Sequence, residues 1–404
     1  MTDRPDAPPP EPDPSNRPDP STDPDRSAEP DEDTAAEPTA VVRPEPFSRR
    51  TVLAASLPAA AAVLGVTALT APRPAGLGDP HGDEQLTSVL ASHLDGHRTV
   101  AAAYLDGSGE VRFAGFGADE HREFEIGSVT KTFTGALLAE AIDRGEVVAE
   151  TTVAEILGAE AESSQIADVT LAELATHTSG LPRLSANMSL GSIASTFLRK
   201  DPYLGRDGDT VIQDALASPL NGRGTFAYSN LGVGLQGQLL ARIAGTDYAS
   251  LLTERLLGPL EMTASSLPVV PENLADSAQR GHTATGLPSA AWTMDGHAPA
   301  GGLRSTPAEM ARYLGATADG SAPGSAAATE VLFTGTEDSA GAMNWFQQDF
   351  GTGTMMTFHN GQTGGYFSFV GFDPATGRGI VLLTDTAASL DVLGVGILTG
   401  EVAL

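Results

Sequence analysis

The sequence predicts an α+β fold: an antiparallel sheet flanked by helices, with a mostly helical subdomain inserted at about residues 150–295. Three observations lead there. Strand-like segments gather at both ends of residues 83–404. A run of helix start and stop signals separates them. Tight turns join neighbouring strands within each set, so the two sets complete one antiparallel sheet with the helical part at one side.

Residues 85–93 have helical spacing, with Leu86, Val89 and Leu90 apolar. Two strands, 99–105 and 110–117, flank the turn Asp106-Gly107-Ser108-Gly109. A short strand at 123–126 feeds a helix that runs to about Arg144, with Phe133, Leu137 and Ala141 on one face and Gly145 as its C-cap. Thr170-Leu171-Ala172-Glu173 reads as a capping box, in which threonine and glutamate satisfy each other's backbone N–H groups. Thr306-Pro307-Ala308-Glu309 reads as a second, with proline at the first helical position. Residues 231–245 and 247–257 are two more helices. Strands follow at 344–350, 354–359, 366–373 and 379–385; the last two are joined by the turn Asp373-Pro374-Ala375-Thr376-Gly377, and 388–402 is a closing helix.

The N-terminal part differs in kind. Residues 1–47 carry thirteen acidic side chains against four arginines, and thirteen of the chain's 28 prolines. Such a tail has little to bury and is expected to be disordered. Residues 48–75 open with Ser48-Arg49-Arg50 and continue into an apolar run over 51–71. This resembles a twin-arginine export signal; a membrane anchor is the alternative, since about 20 apolar residues can span a bilayer. Either places the rest of the chain outside the cytoplasm, secreted or on the outer face of the cytoplasmic membrane. Residues 76–82 read as a linker and 83–404 as the folded domain.

The net charge of −29 argues against binding to nucleic acid through phosphates. The tail's −9 leaves −20 on residues 48–404, so the folded part is acidic in its own right, which reads first as solubility. There is no cysteine, hence no disulfide and no thiolate metal site. His93 and His97 stand four apart without a third ligand, and no other histidine spacing suggests zinc, so no metal and no cofactor is expected.

Chemistry points to Ser128 and Lys131. Positions i and i+3 share one face of a helix, so both can enter one cavity. A serine needs an adjacent base, and lysine becomes one only when burial or positive charge lowers its pKa by several units. Tyr228-Ser229-Asn230 offers a phenol and an amide. A phenol beside a lysine can ionise below its ordinary pKa of about 10. Phe358-His359-Asn360-Gly361-Gln362 ends a strand, and Gly361 permits close backbone approach of a peptide-like substrate.

The order Ser-x-x-Lys, Tyr-x-Asn, His-x-Gly resembles the serine β-lactamase and penicillin-binding superfamily. The tyrosine form resembles its class C β-lactamase and D-Ala-D-Ala carboxypeptidase branch, which includes esterases. The resemblance covers about residues 83–404, with support from Leu174-Ala175-Thr176-His177-Thr178-Ser179-Gly180-Leu181 and Pro299-Ala300-Gly301-Gly302-Leu303. It implies a β-lactamase-like fold and an acyl-enzyme on Ser128. Lys131 and Tyr228 would share the proton. Asn230, His359 and Gly361 would bind substrate, with Asn230 holding it or Lys131, and His359 supporting Tyr228 and a substrate carboxylate or carbonyl. The backbone N–H groups of Ser128 and Gln362 would form the oxyanion hole. The implied substrates are peptidoglycan-like peptides, β-lactams or esters; a sensor that is acylated but not turned over is the rival of another class. Many β-lactamases of this branch have lysine where this chain has His359, a departure that speaks against efficient β-lactam hydrolysis.

Overall fold

The computed structural model describes residues 76–188, 198–336 and 339–404. The tail of 1–47 and the signal or anchor of 48–75 lie outside the described residues. Among those described, no helix is long and apolar enough to cross a membrane.

Thirteen strands are present: β1 (Pro80–Gly82), β2 (Val100–Asp106), β3 (Val111–Phe116), β4 (Phe124–Glu125), β5 (His282–Thr283), β6 (Arg304–Ser305), β7 (Phe333–Thr336), β8 (Ser339–Gly341), β9 (Phe346–Asp349), β10 (Met355–Gln362), β11 (Phe367–Phe372), β12 (Arg378–Thr384) and β13 (Thr386–Ala387). Ten α-helices are described: α1 (Glu84–Ala91), α2 (Thr130–Asp143), α3 (Val153–Leu157), α4 (Leu171–Ala175), α5 (Gly208–Leu216), α6 (Asn230–Ala244), α7 (Tyr248–Leu252), α8 (Pro307–Ala318), α9 (Ser325–Ala328) and α10 (Asp391–Thr399). Nine strands form one sheet in the order β1-β3-β2-β12-β11-β10-β9-β8-β7, every pair antiparallel. The early and late strand sets meet at β2 and β12, which pair from Val100↔Thr384 to Asp106↔Arg378. The expected single sheet is therefore present, with helices on both faces.

Strand alternation splits the core into two layers. Val100, Ala102, Ile380 and Leu382 face α1 and α10, where Leu86, Leu90, Leu393 and Ile397 cover them. Ala101, Ala103, Val381 and Leu383 face the other side, toward Phe133, Leu137, Tyr313 and the helices of the middle segment. This is the period of two that a sheet buried on both faces imposes. Helix α2 lies between sheet and helical region, and eleven of its fourteen residues are buried.

Three expectations need correction. Residues 80–82 are not linker: they form the edge strand β1 on β3, and proline is tolerated at such an edge. The short strand before Ser128 does not join the large sheet; β4 pairs with β6 in a sheet of two strands. The second capping box is half formed. Thr306 accepts from the Glu309 N–H, but the Glu309 carboxylate accepts instead from Ala264 N–H and the Ser265 hydroxyl. The box at Thr170 is complete.

Candidate active site

Ser128 lies in a single 3-10 turn, Gly127–Val129, that runs straight into α2. Lys131, one turn on, places Nζ 3.0 Å from Ser128 Oγ. The same amine donates to Ala300 O at 2.5 Å, so the Pro299–Gly302 segment orients it. Lys131 is 0% exposed, and no carboxylate pairs with it among the described residues. Burial, reinforced by the Arg183 guanidinium, holds its pKa well below the ordinary lysine value. An amine in this state accepts a proton at neutral pH.

The Tyr228 phenol stands within electrostatic reach of the Ser128 side chain. Its ring has the Lys131 amine 4.9 Å and the Arg183 guanidinium 5.0 Å from its centroid. Burial nevertheless wins: the phenol's pKa is pushed up, not down, against the opposing pull of Ser128 and Arg183. The expected ease of ionisation is thus overturned for the free enzyme, and Tyr228 is held as a neutral phenol. His177 fixes the loop that carries it. His177 Nδ1 accepts from Ser229 N–H at 3.2 Å, and its ring lies 4.6 Å from that of Tyr228. Ser229 is the N-cap of α6, its hydroxyl accepting from Gly232 N–H.

Asn230 begins α6 and faces the cavity, but its amide donates to Tyr203 Oη at 2.8 Å, not to Lys131. Its Oδ1 is buried and unpartnered. His359 departs further from expectation. It is 0% exposed, stacks on Phe346 at 4.6 Å, and has Nδ1 2.6 Å from Asn360 O. Burial, with Lys131's charge adding to it, lowers its pKa to about 3. A neutral imidazole below the surface is no anchor for a carboxylate. Its ring lies 6.5 Å from that of Tyr228 and supports it by packing.

Gly361 and Gly127 bring two backbone N–H groups together. A Cβ on Gly361 would stand 2.1 Å from Ile126 O and 2.8 Å from Ser128 N; one on Gly127 (φ +50°) would stand 2.8 Å from Gln362 N. Strand β10 therefore crosses the Ser128 turn at backbone contact, and Gly361 serves that crossing. Thr363 N–H donates to Tyr366 O. Antiparallel alternation then turns the Gln362 N–H away from β11, to the side of Ser128. The pairing of β9 with β10 ends at Phe346↔Phe358, which leaves room there for the turn.

A cavity of about 440 Å³ opens over Ser128, within the range of ligand pockets. Asn230, Gly127, Ala300, Gly301 and Gln362 line it, as does a set that sequence reasoning did not single out: Arg183, Arg199, Lys200, Tyr203, Ser289 and Trp292. One signal was available. The chain has only two lysines, and both Lys131 and Lys200 are at this site.

The Beta-lactamase family profile matches residues 86–395. Penicillin-binding protein 4 of Amycolatopsis lactamdurans is 26% identical over 337 residues, 76% of this chain and 84% of the relative. A class C β-lactamase from Rhodobacter sphaeroides superposes with a TM-score of 0.65 at 18% identity, covering 79% of this chain and 98% of its own. The D-alanine carboxypeptidase AmpC of Burkholderia cenocepacia superposes with a TM-score of 0.63 at 23% identity, covering 78% and 97%. Those two likenesses are of fold. With most of the folded residues inside the family profile, and a serine, a lysine and a tyrosine gathered at one cavity, the chain belongs to the Beta-lactamase family of serine hydrolases.

Proposed function

We propose that the chain is an exported acyl-transfer enzyme that forms an acyl-enzyme on Ser128 and acts on D-Ala-D-Ala-type peptides or related amides. One observation carries the proposal: a buried lysine without a carboxylate partner, its Nζ 3.0 Å from a serine hydroxyl. As Ser128 Oγ attacks the carbonyl, Lys131 takes its proton and becomes an ammonium. The Ser128 and Gln362 N–H groups receive the oxyanion, each such donor being worth roughly 3–4 kcal/mol. Tyr228 gives its phenolic proton to the leaving amine and recovers one from Lys131. Water then attacks the acyl-enzyme, its proton passing to the Lys131–Tyr228 pair and thence to Ser128 Oγ.

Support for an amide substrate comes from Asn230, whose buried, unpartnered Oδ1 in the cavity wall suits a substrate N–H. β-Lactam hydrolysis and ester hydrolysis are the nearer rivals, both running through the same acyl-enzyme. Export rests on Ser48-Arg49-Arg50 and the apolar run over 51–71. A panel of a chromogenic cephalosporin, a diacyl-D-Ala-D-Ala peptide and p-nitrophenyl esters, run on wild type and Ser128→Ala, tests the chemistry. Release of D-alanine by wild type alone is the expected result; equal activity in the variant would overturn the assignment. A stable penicillin adduct on the Ser128 peptide, with no substrate turned over, would favour the sensor. Fractionation of cells expressing the full chain, with and without Arg49→Lys and Arg50→Lys, tests export.

A further inference from the structure

Glu125, on β4, stands three residues before Ser128 and is buried. One carboxylate oxygen, Oε1, accepts from Arg304 Nη1 at 2.9 Å and from the Trp292 N–H at 3.1 Å. The other, Oε2, is buried without a partner, and so is Arg304 Nη2. A guanidinium and a carboxylate can join through two parallel N–H groups. Here one of the two bonds is made, while Arg304 gives its Nε to Glu123 at 2.6 Å. Three parts of the site converge on this carboxyl. β4 leads into the Ser128 turn, and Trp292 lines the cavity. The Thr363 side chain, within electrostatic reach of Glu125, closes the turn after β10 by accepting from Tyr366 N–H at 3.2 Å. Thr363 directly follows Gln362, whose N–H faces Ser128. The Tyr366 ring packs on both short strands, edge-on to Phe124 of β4 at 6.2 Å and 5.8 Å from the Arg304 guanidinium of β6.

We propose that Glu125 is a positioning residue for acyl transfer: as a carboxylate it braces the Ser128 turn, Trp292 and the turn at Thr363 in one geometry, so that Ser128 Oγ and the Gln362 N–H meet the same carbonyl, and on taking up a proton it loosens that brace. The inference rests on the serine-hydrolase reading and adds to it a residue outside the reacting atoms. The charged and titratable groups that face Glu125 are Arg304 on β6, Glu123 just ahead of β4 and Tyr366 beyond β10. The Trp292 segment adds the Asp201 carboxylate, which accepts from the Thr293 and Met294 N–H groups. Burial favours the protonated carboxyl, while Arg304, Thr363 and the Trp292 N–H favour the carboxylate, so the charge changes at about 7. A protonated carboxyl accepts more weakly, and it brings a donor that neither Arg304 nor the Trp292 N–H can use. Misplacing reacting groups by about 1 Å can cost on the order of a hundredfold in rate.

Glutamine at this position stands in for the protonated carboxyl at every pH. Hydrolysis of p-nitrophenyl acetate, an uncharged ester, is followed from about pH 5 to about pH 9 with wild type, Ser128→Ala, Glu125→Gln and Glu125→Asp. Rates are corrected for the folded fraction, read by near-ultraviolet circular dichroism at each pH. The ratio of wild-type to Glu125→Gln kcat/KM is expected to rise from about one at the acid end to on the order of tenfold at the alkaline end, with its midpoint near 7. The titration of Lys131 cancels in that ratio, because burial and Arg183, not Glu125, lower its pKa. Glu125→Asp keeps a charge that titrates, so it should recover part of the rise over Glu125→Gln. A ratio that is the same at every pH, whatever its size, would make Glu125 structural only and overturn the proposal. A ratio that falls with pH, or an aspartate variant with the flat ratio of glutamine, would overturn it as well. If wild type cleaves the ester no faster than Ser128→Ala, the serine-hydrolase reading itself fails and the positioning role with it.

Discussion

Two buried ionisable residues flank Ser128, and the molecule treats them differently. Lys131, on α2, is 0% exposed; Glu125, on β4, is 2% exposed. Lys131 meets only neutral oxygens, Ser128 Oγ and Ala300 O. Glu125 meets Arg304 Nη1 at 2.9 Å and the Trp292 N–H. Burial drives both toward their neutral forms. For the lysine nothing opposes it, and Arg183 adds to it. For the glutamate Arg304 opposes it, and the carboxyl settles at about 7. A charge left without a counter-charge becomes a base, while a charge given one becomes scaffolding. The same few residues hold both, because Arg304 belongs to β6, the partner strand of β4, and so braces the entry to the Ser128 turn.

The sharpest way to break this contrast is to delete the nucleophile and then one supporting side chain on each side of it. Ser128→Ala is expected to lower turnover by roughly a millionfold, as in other serine hydrolases. Lys131→Met, which removes the base, is expected to cost on the order of 10²–10⁴-fold. Both should fold, and Lys131→Met should melt at a higher temperature than wild type at pH 7. The sign follows from linkage: a lysine with a depressed folded pKa loses stability as pH falls below its unfolded value, so its removal relieves a penalty. A melting temperature lowered by several degrees would refute the idea that Lys131 is an unpaired buried amine. Arg304→Met should do the reverse, sparing the reacting atoms and harming the fold. It strips Glu125 and Glu123 of their cation. Breaking a buried pair in this way costs about 3–5 kcal/mol, which lowers Tm by roughly 5 °C in a domain of this size; calorimetry showing no loss would mean that Glu123 and Glu125 do not depend on it.

Much of this was readable from the chain, for identifiable reasons. The serine and lysine share a helix face by spacing alone, and the strands β2, β11 and β12 are near-continuous apolar runs whose alternate residues enter different cores. What escaped depends on contacts distant in sequence or on segments without pattern. Apart from Phe333, Phe333–Thr336 and Ser339–Gly341 are strands built of threonine, glycine, serine and alanine, with no alternation to reveal them. Pro80–Gly82 looks like linker because only the edge position makes proline acceptable. The state of Tyr228 is not legible in its own segment, because rings remote in the chain, His177 and Phe346, pack against it. The place of His359 in a motif suggests a ligand's role, but Phe346 stacks over it.

The Glu125 side of the contrast can be sharpened by pH. Its folded pKa, about 7, stands above the ordinary 4.5. A raised carboxyl pKa contributes stability that is fully present below about 4.5 and is lost as pH rises through 7, at 1.36 kcal/mol per unit, or about 3 kcal/mol in all. Denaturant midpoints measured between pH 4.5 and 8 should fall accordingly in wild type. The Glu125→Gln profile should be flatter by that amount. If the two profiles run parallel, Arg304 outweighs burial and the carboxylate is ionised throughout.

The smallest effect expected concerns the cation that feeds the other side. Arg183 lies against Tyr228 and depresses the pKa of Lys131, second to burial. Catalysis needs the neutral amine, so activity rises as pH climbs through that pKa. Arg183→Gln removes one of the two depressing influences, the Lys131 pKa rises, and the acidic limb of the kcat/KM profile moves to higher pH. Because Arg183 is exposed and screened by solvent, the displacement should be modest and should shrink as salt is raised in wild type. It should appear with an uncharged p-nitrophenyl ester, which separates it from any effect of Arg183 on a charged substrate. A limb that stays in place would mean that burial alone sets the lysine and that Arg183 does not tune the base.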